Sequence, residues 1–483
     1  MVQMITKQKI AKSFIWSLLE KFGSQGLQFI ISIILARILL PEDYGIVALI
    51  QIFIQIANVF VVDGFNTALI QKKDSDELDF SSVFFATCII AFLLYIIIFF
   101  LSPIIASFYN QSELTKVLRI FSLSLIYTPL LSCQYAYIAK HLMFKIYVIR
   151  SFICLIVSGT IAILLAKKGF GVYSLVFQQL IYGILNAFIL LICIKWKPTL
   201  KFSYKRLKEL MSFGWKFTAT GILENIFKNI YSLIIGKTAN ITQLSFYNRG
   251  QQLPGLVANN FVLALRNVIF PTFSLKNDNI EELKSMLRRT NQINAYILFP
   301  LLFGLAAVSE PLIKILLTEK WIPSIIYLRL CCLYFVFYNY NVANMTAINS
   351  LGKSGIYLKY EIIKKIVIII TITLTIPFGI YYMIVGEVLT GLISSILNMI
   401  PAKKYLNYLF REQLFDILGS FLLSIAMSVL IFIFSFLHLN TIVLLSIQII
   451  FGIAFYILFS FIFKIKGFVY IISIIKNKKD TSL

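Results

Sequence analysis

Apolar runs of about twenty residues, separated by short polar connections, recur from one end of the chain to the other. Each is long enough to cross a hydrocarbon core of about 30 Å. In lipid a chain must satisfy its own backbone N–H and C=O groups, so such runs are predicted to be helices. The fold class is therefore an all-α, polytopic transmembrane bundle. A sliding apolar window predicts about fourteen spans. Six are 14–39, 44–62, 80–101, 118–139, 146–165 and 172–194, and six more are 210–236, 246–270, 293–317, 325–348, 361–378 and 381–400. The last two are 415–437 and 441–463. The connections are all short, with no room for an inserted catalytic domain.

Short motifs return at a spacing of about 200 residues. Ser13-Phe14-Ile15-Trp16 recurs as Ser212-Phe213-Gly214-Trp215 at the head of the seventh span. Pro41-Glu42-Asp43-Tyr44-Gly45 is matched by Ile241-Thr242-Gln243-Leu244-Ser245, and Leu101-Ser102-Pro103 by Ser309-Glu310-Pro311. The common order predicts two six-helix lobes in parallel repeat, residues 1–197 and 198–404, followed by a helix pair and basic tail over 405–483. Paired lobes of this kind are transporter architecture, with cargo handled where the repeats face each other.

Charge changes the picture in two ways. Only 13% of residues are charged, against 59% hydrophobic, yet the net charge is +23. Such an excess invites a nucleic-acid reading, but the cations sit in short clusters between apolar runs rather than along one face. With the N-terminus inside, the connections and flanking helix ends carry 30 Lys and Arg on the cytoplasmic side and 8 outside, while six lie deeper in spans. That bias places both termini in the cytoplasm. Glu20, Lys21, Gln25 and Gln28 interrupt the first apolar run, which is read as an uncleaved helix rather than a leader.

No catalytic motif is present: no GxxxxGK[ST], HExxH or GxSxG. The six cysteines lie in or at the ends of apolar runs without CxxC spacing, and the only histidines are His141 and His438, so neither a metal site nor a cofactor is expected. What the chain does carry is polar stripes. On the first span Ser17, Glu20, Lys21, Ser24, Gln25, Gln28 and Ser32 fall within an arc of about 140° at 100° per residue. On the seventh, Lys216, Thr220, Glu224, Lys228 and Ser232 step by four, with Asn225 beside them. A helix at membrane depth with so wide a stripe must face water or another polar surface. Helices packed polar-to-polar, and a Glu224–Lys228 pair that neutralises itself, are the plain alternatives. Arg249 and Arg266 on the eighth span and Arg329 on the tenth add positive charge, against Asp63 and Glu387. A surplus of cations suits an anion, since guanidinium and ammonium groups pair with phosphate oxygens.

Lys12-Ser13-Phe14-Ile15-Trp16 followed by Leu35-Ala36-Arg37-Ile38-Leu39-Leu40-Pro41-Glu42-Asp43-Tyr44-Gly45 resembles the opening of the polysaccharide transporter family of the MATE/MOP exporter superfamily. Phe246-Tyr247-Asn248-Arg249-Gly250, residues 268–274 and Trp321-Ile322-Pro323 resemble its colanic-acid-exporter branch, with Gly250 where Ala is usual. The resemblance implies a flippase that carries undecaprenyl-diphosphate-linked oligosaccharide, an O-antigen, capsule or exopolysaccharide unit, across the bacterial cytoplasmic membrane by alternating access. It also implies a V-shaped pair of lobes around a basic cavity.

On that footing Lys21, Lys228 and Arg249 are the expected holders of the diphosphate, with Lys216 at the cytoplasmic mouth and Arg266 as a further cation. Gln25, Gln28 and Asn225 would meet sugar hydroxyls, and Glu224 would exchange a proton or sodium ion. Other expected partners are membrane lipids and glycan polymerase or assembly proteins, and no nucleic acid. The competing readings are a MATE-like drug or cation antiporter, disfavoured by the sign of the cavity charge, a membrane-embedded glycan polymerase, and a non-transporting scaffold of glycan assembly.

Overall fold

The computed structural model describes residues 7–72, 74–141, 145–276, 278–437 and 439–480, with side chains for these apart from 7–22, 145–149, 266–268, 339 and 474–480. Among the described residues the regular structure is helical throughout. Ten helices are long and apolar enough to cross a membrane, and an eleventh span is a helix pair bent by 68°. Three more, Lys7–Ile38, Tyr204–Thr238 and Ser354–Thr375, have 32, 35 and 22 residues. Tyr204–Thr238 and Ser354–Thr375 have the length to span but are too polar to register as apolar, and the first helix is apolar over Gly23–Ile38. The total is close to the about fourteen segments expected from the sequence, and the chain is a multi-pass membrane protein.

Contacts divide the chain into two compact units, residues 1–245 and 246–483. This boundary is set by packing and falls later than residue 197, where the repeat divides the sequence.

The first unit contains α1 (Lys7–Ile38), α2 (Pro41–Gln71), α3 (Glu77–Phe108), α4 (Glu113–Phe121), α5 (Ser124–His141), α6 (Lys145–Lys167), α7 (Val172–Cys193) and α8 (Tyr204–Thr238). α2 is its hub, packed against α8, α5, α3 and α7, while α1 lies along α6. At one end of the bundle Phe65 and Leu69 of α2, Phe80 and Val83 of α3, Cys133 of α5, Leu190 of α7 and Trp196 bury a common cluster. The basic connection before α8 is tied to the start of α3. Ser81 Oγ lies 3.0 Å from Thr199 Oγ1, and Ser203 N donates to Ser82 Oγ at 2.9 Å. Asp79, whose side chain is fully buried, pairs with Lys72 at 2.8 Å and Arg206 at 3.6 Å. Lys140 at the end of α5 donates to the carbonyl of Lys72 at 3.1 Å. The connections after the second, fourth and sixth spans thus gather on one side, as an alternating topology requires.

On the opposite side the structure brings two of the repeated motifs together. α9 (Ile241–Ser274) starts in this unit, and the backbone of Ile241 lies so near Gly45 that a side-chain carbon at position 45 would overlap it. Beside them Thr242 Oγ1 donates to Glu42 at 3.2 Å.

The second unit holds the rest of α9, α10 (Ile280–Ala307), α11 (Ser309–Leu317), α12 (Ser324–Asn339), α13 (Val342–Ser350), α14 (Ser354–Thr375), α15 (Ile380–Leu406), α16 (Phe410–Ile433), α17 (Thr441–Ile462) and α18 (Lys466–Asp480). α10 is its hub, against α16, α12 and α18, with α15 held between α12 and α14. Two spans are broken, one at Val308 between α10 and α11 and one at 340–341 between α12 and α13. A broken helix frees backbone groups that must find partners inside the protein.

Candidate functional site

The polar stripe of the seventh span is α8, and its position follows from small residues. α2 and α8 cross at Gly64 and Gly214. A side-chain carbon on Gly214 would lie 2.5 Å from the Gly64 carbonyl oxygen, and one on Gly64 would lie 2.7 Å from that of Gly214. Paired glycines let two membrane helices approach until their backbones touch. The same seam carries polar contacts. Asp63 abuts Gly221, and Asn229 Nδ2 donates to Gln55 Oε1 at 3.5 Å. The face of α8 toward α2 is therefore glycine, threonine and amide.

The charge winds around the rest of the helix, from the side opposite α2 at Lys216 to the edge of the seam at Lys228. Lys216, Thr220, Glu224 and Lys228 are all exposed. Glu224 and Lys228 stand one turn apart, yet among the described residues neither forms an ion pair, so the self-neutralising arrangement is not what the structure adopts. Glu224 instead acts electrostatically on Asp63 across the seam. Asn225 is turned inward, half-buried, with its Nδ2 donating to the Gly221 carbonyl at 2.9 Å. Lys216 and Lys228 are twelve residues apart, about 18 Å along the axis. That exceeds the reach of one diphosphate, so they form successive stations rather than one clamp.

On α1, Gln28 is exposed and Gln25 half-buried, while α1 is fixed on α6 by Ile31 against Gly159. The side chains of Lys21 and Arg266 lie outside the described residues. Arg249 belongs to the second unit, where it is only 7% exposed. Its Nη1 donates to Gln252 Oε1 at 2.6 Å and its guanidinium lies 4.9 Å from the Trp321 ring centroid. Arg329 is likewise occupied, donating to Ser309 Oγ at 2.9 Å at the break between α10 and α11.

The second unit also contains polar features that the charge pattern missed. A chain of buried amides links four helices: Asn291 Nδ2 donates to Asn344 Oδ1 at 2.8 Å, Asn344 Nδ2 to Gln413 Oε1 at 2.8 Å, and Asn398 Nδ2 to Asn341 Oδ1 at 3.2 Å. Asn294 Nδ2 caps the Tyr340 carbonyl at 2.5 Å, and Asn341 Nδ2 reaches the Ser395 carbonyl at 2.8 Å, so the break before α13 is satisfied internally. At one end of this unit the fully buried Asp416 carboxylate accepts from Arg288 Nε at 2.7 Å and Nη2 at 3.0 Å, from Lys466 at 2.9 Å and from Tyr408 at 2.9 Å. That centre fastens α18 to α10 and α16. The recurrence of Asn at 291, 294, 341 and 344 inside apolar runs was the available sequence signal.

The chain is similar to curated proteins of polysaccharide biosynthesis and transport. It is 26% identical over 321 residues to the succinoglycan biosynthesis transport protein ExoT of Rhizobium meliloti, covering 66% of this chain and 65% of that one. It is 28% identical over 277 residues to the teichuronic acid biosynthesis protein TuaB of Bacillus subtilis, 56% of each. With the lipopolysaccharide biosynthesis protein WzxC of Escherichia coli the identity is 23% over 433 residues, 87% of each. The match thus spans less than two thirds of the first two relatives and most of the third.

Among solved structures the fold resembles the lipid II flippase MurJ in an inward closed conformation, with TM-score 0.76 and 18% identity over 93% of this chain and 98% of that one. It also resembles an inward-facing MATE multidrug resistance transporter, with TM-score 0.62 and 13% identity over 80% and 94%. The fold is that of the MOP superfamily. A sequence profile described as "Polysaccharide biosynthesis protein" matches residues 34–326, and since that segment is well over half of the 483 residues and runs from α1 into α12, the chain belongs to the polysaccharide biosynthesis protein family.

Proposed function

We propose that the protein is a flippase for lipid-linked oligosaccharide, moving a polyprenyl-diphosphate glycan across the bacterial cytoplasmic membrane by alternating access, with both termini in the cytoplasm. The observation that carries this reading is the exposed row Lys216–Thr220–Glu224–Lys228, well inside a 35-residue helix. Exposed charge at such depth needs water beside it. A wet basic path lets a diphosphate cross without the cost, many kcal/mol, of an unpaired ion in hydrocarbon. Lys216 receives the headgroup nearer the start of α8 and Lys228 holds it about 18 Å further on, with Lys21 opposite in role on α1. Arg249, held by Gln252 and Trp321, is not part of this row. Gln28 is the amide best placed for sugar hydroxyls, because Asn225 is committed to its own helix. The names of the relatives, which concern succinoglycan, teichuronic acid and lipopolysaccharide biosynthesis, support a glycan cargo.

The test is charge reversal in the native host, with surface glycan measured at equal protein levels. Two unit charges 5 Å apart at an effective dielectric of 20 exchange about 3 kcal/mol, so reversing one changes the balance by about twice that. Lys21→Glu, Lys216→Glu and Lys228→Glu should each lower export at least tenfold. Arg249→Glu should lower it as well, through lost packing on Trp321 as much as through charge. Wild-type glycan from the three lysine variants would overturn the reading and return these cations to topology and packing.

A further inference from the structure

Glu387 lies in the first third of α15 and is 5% exposed. Among the described residues no cationic side chain acts on it. Its partner is the hydroxyl of Tyr247, itself 1% exposed, whose oxygen lies 3.1 Å from Oε1 and 3.0 Å from Oε2. Gln251 Nε2 donates to that same hydroxyl oxygen at 3.2 Å. Tyrosine supplies one hydrogen and two lone pairs. One lone pair takes the Gln251 hydrogen and the single hydroxyl hydrogen serves one carboxyl oxygen. One hydroxyl hydrogen fully serves only one carboxyl oxygen, so an ionised carboxylate here would keep a poorly served oxygen, whereas a protonated carboxyl needs no second donor.

The rest of the surroundings agree. From α12 the buried Cys331 thiol lies within electrostatic reach of the carboxyl. From α14 Thr371 and Thr375 line the adjoining Gly386. Thr390 Oγ1 is occupied by the Glu387 carbonyl at 2.7 Å. Three cations on these helices have other partners: Arg249 has Gln252, Arg329 has Ser309, and Lys364 has Glu361 at 2.7 Å. An ionised carboxylate buried without a counter-charge is among the costliest arrangements in a membrane protein, and such groups mark proton or ion pathways.

We propose that Glu387, capped by Tyr247, is a proton-binding site built into the second unit. The proton is held while the carboxyl is buried, as it is here, and is released to water only when α9 and α15 part enough to hydrate it. The site is neutral when loaded and carries one negative charge when empty, so the two states of these helices differ in their tolerance of burial.

Infrared spectra of the purified full-length protein test this without any cargo, so the outcome is independent of what the protein transports. At neutral pH and without sodium, the wild type minus Glu387→Gln difference spectrum should show a carboxylic-acid C=O band that shifts in deuterium oxide. In Tyr247→Phe that band should persist at higher frequency, because the acid has lost its hydrogen-bond partner; this variant keeps the test open if Glu387→Gln does not fold. A difference spectrum showing only carboxylate bands, or an acid band unaltered by Tyr247→Phe, would overturn the proposal. Loss of the acid band on adding sodium would overturn it in favour of a metal-cation site.

Discussion

Gly214→Ala tests the contact that places the charged row. A methyl at position 214 would lie 2.5 Å from the Gly64 carbonyl oxygen and 2.8 Å from its carbon, both backbone atoms that cannot swing aside. Reaching an ordinary contact of about 3.5 Å requires α8 to move off α2 by about 1 Å. Overpacking of this kind costs about 1–3 kcal/mol, whereas Gly to Ala inside a helix gains about 1 kcal/mol. The net expectation is a loss of up to about 2 kcal/mol. Gly26 on α1 is the control, since a methyl there meets nothing within 4 Å among the described residues. Gly26→Ala should gain about 0.5–1 kcal/mol from helix propensity alone. Thermal unfolding of the two purified variants in one detergent should therefore shift in opposite directions from wild type. Export should fall in Gly214→Ala and not in Gly26→Ala, because α8 carries Lys216, Glu224 and Lys228. If both variants are stabilised alike, the Gly64–Gly214 contact does not exist and the placement of the row fails with it.

Reporters fused after Lys208 and after Lys237 should be active inside and outside respectively; the reverse result would invert the whole topology. Asn344→Leu should destabilise the protein by at least about 2 kcal/mol, since it orphans the buried Asn291 Nδ2 and Gln413 Oε1, and adding Asn291→Leu should recover part of the loss. Arg206 donates to Asp76 and holds its carboxyl below the ordinary 3.8. A lowered carboxylate contributes stability above its unfolded value and loses it as pH falls through the folded one. Protease cleavage between 194 and 203 should thus increase only below about pH 4, and Arg206→Gln should remove that dependence, whereas cleavage unaffected by pH would show that the pair does not hold this connection.

Hydropathy was enough to read the membrane class and the approximate number of helical spans, because the lipid acts on each helix separately. Span length, helical structure and cationic flanks are local quantities, fixed within about 20 consecutive residues. The stripe on α8 was legible for the same reason: its period belongs to one helix. Which face of α8 meets protein was not, since that depended on Gly64, about 150 residues earlier in the chain. The buried amides were hidden differently. An Asn inside an apolar run lowers hydropathy only slightly, and its meaning comes from partners 53 and 69 residues away across other helices. Arg249 and Glu387 show the same limit from the charged side. By residue type both belong to a cavity, yet Trp321 and Gln252 occupy one and Tyr247 the other. In a membrane the cost of leaving a polar group unpaired is high enough that packing, rather than residue type, decides whether a charge faces water or a neighbour.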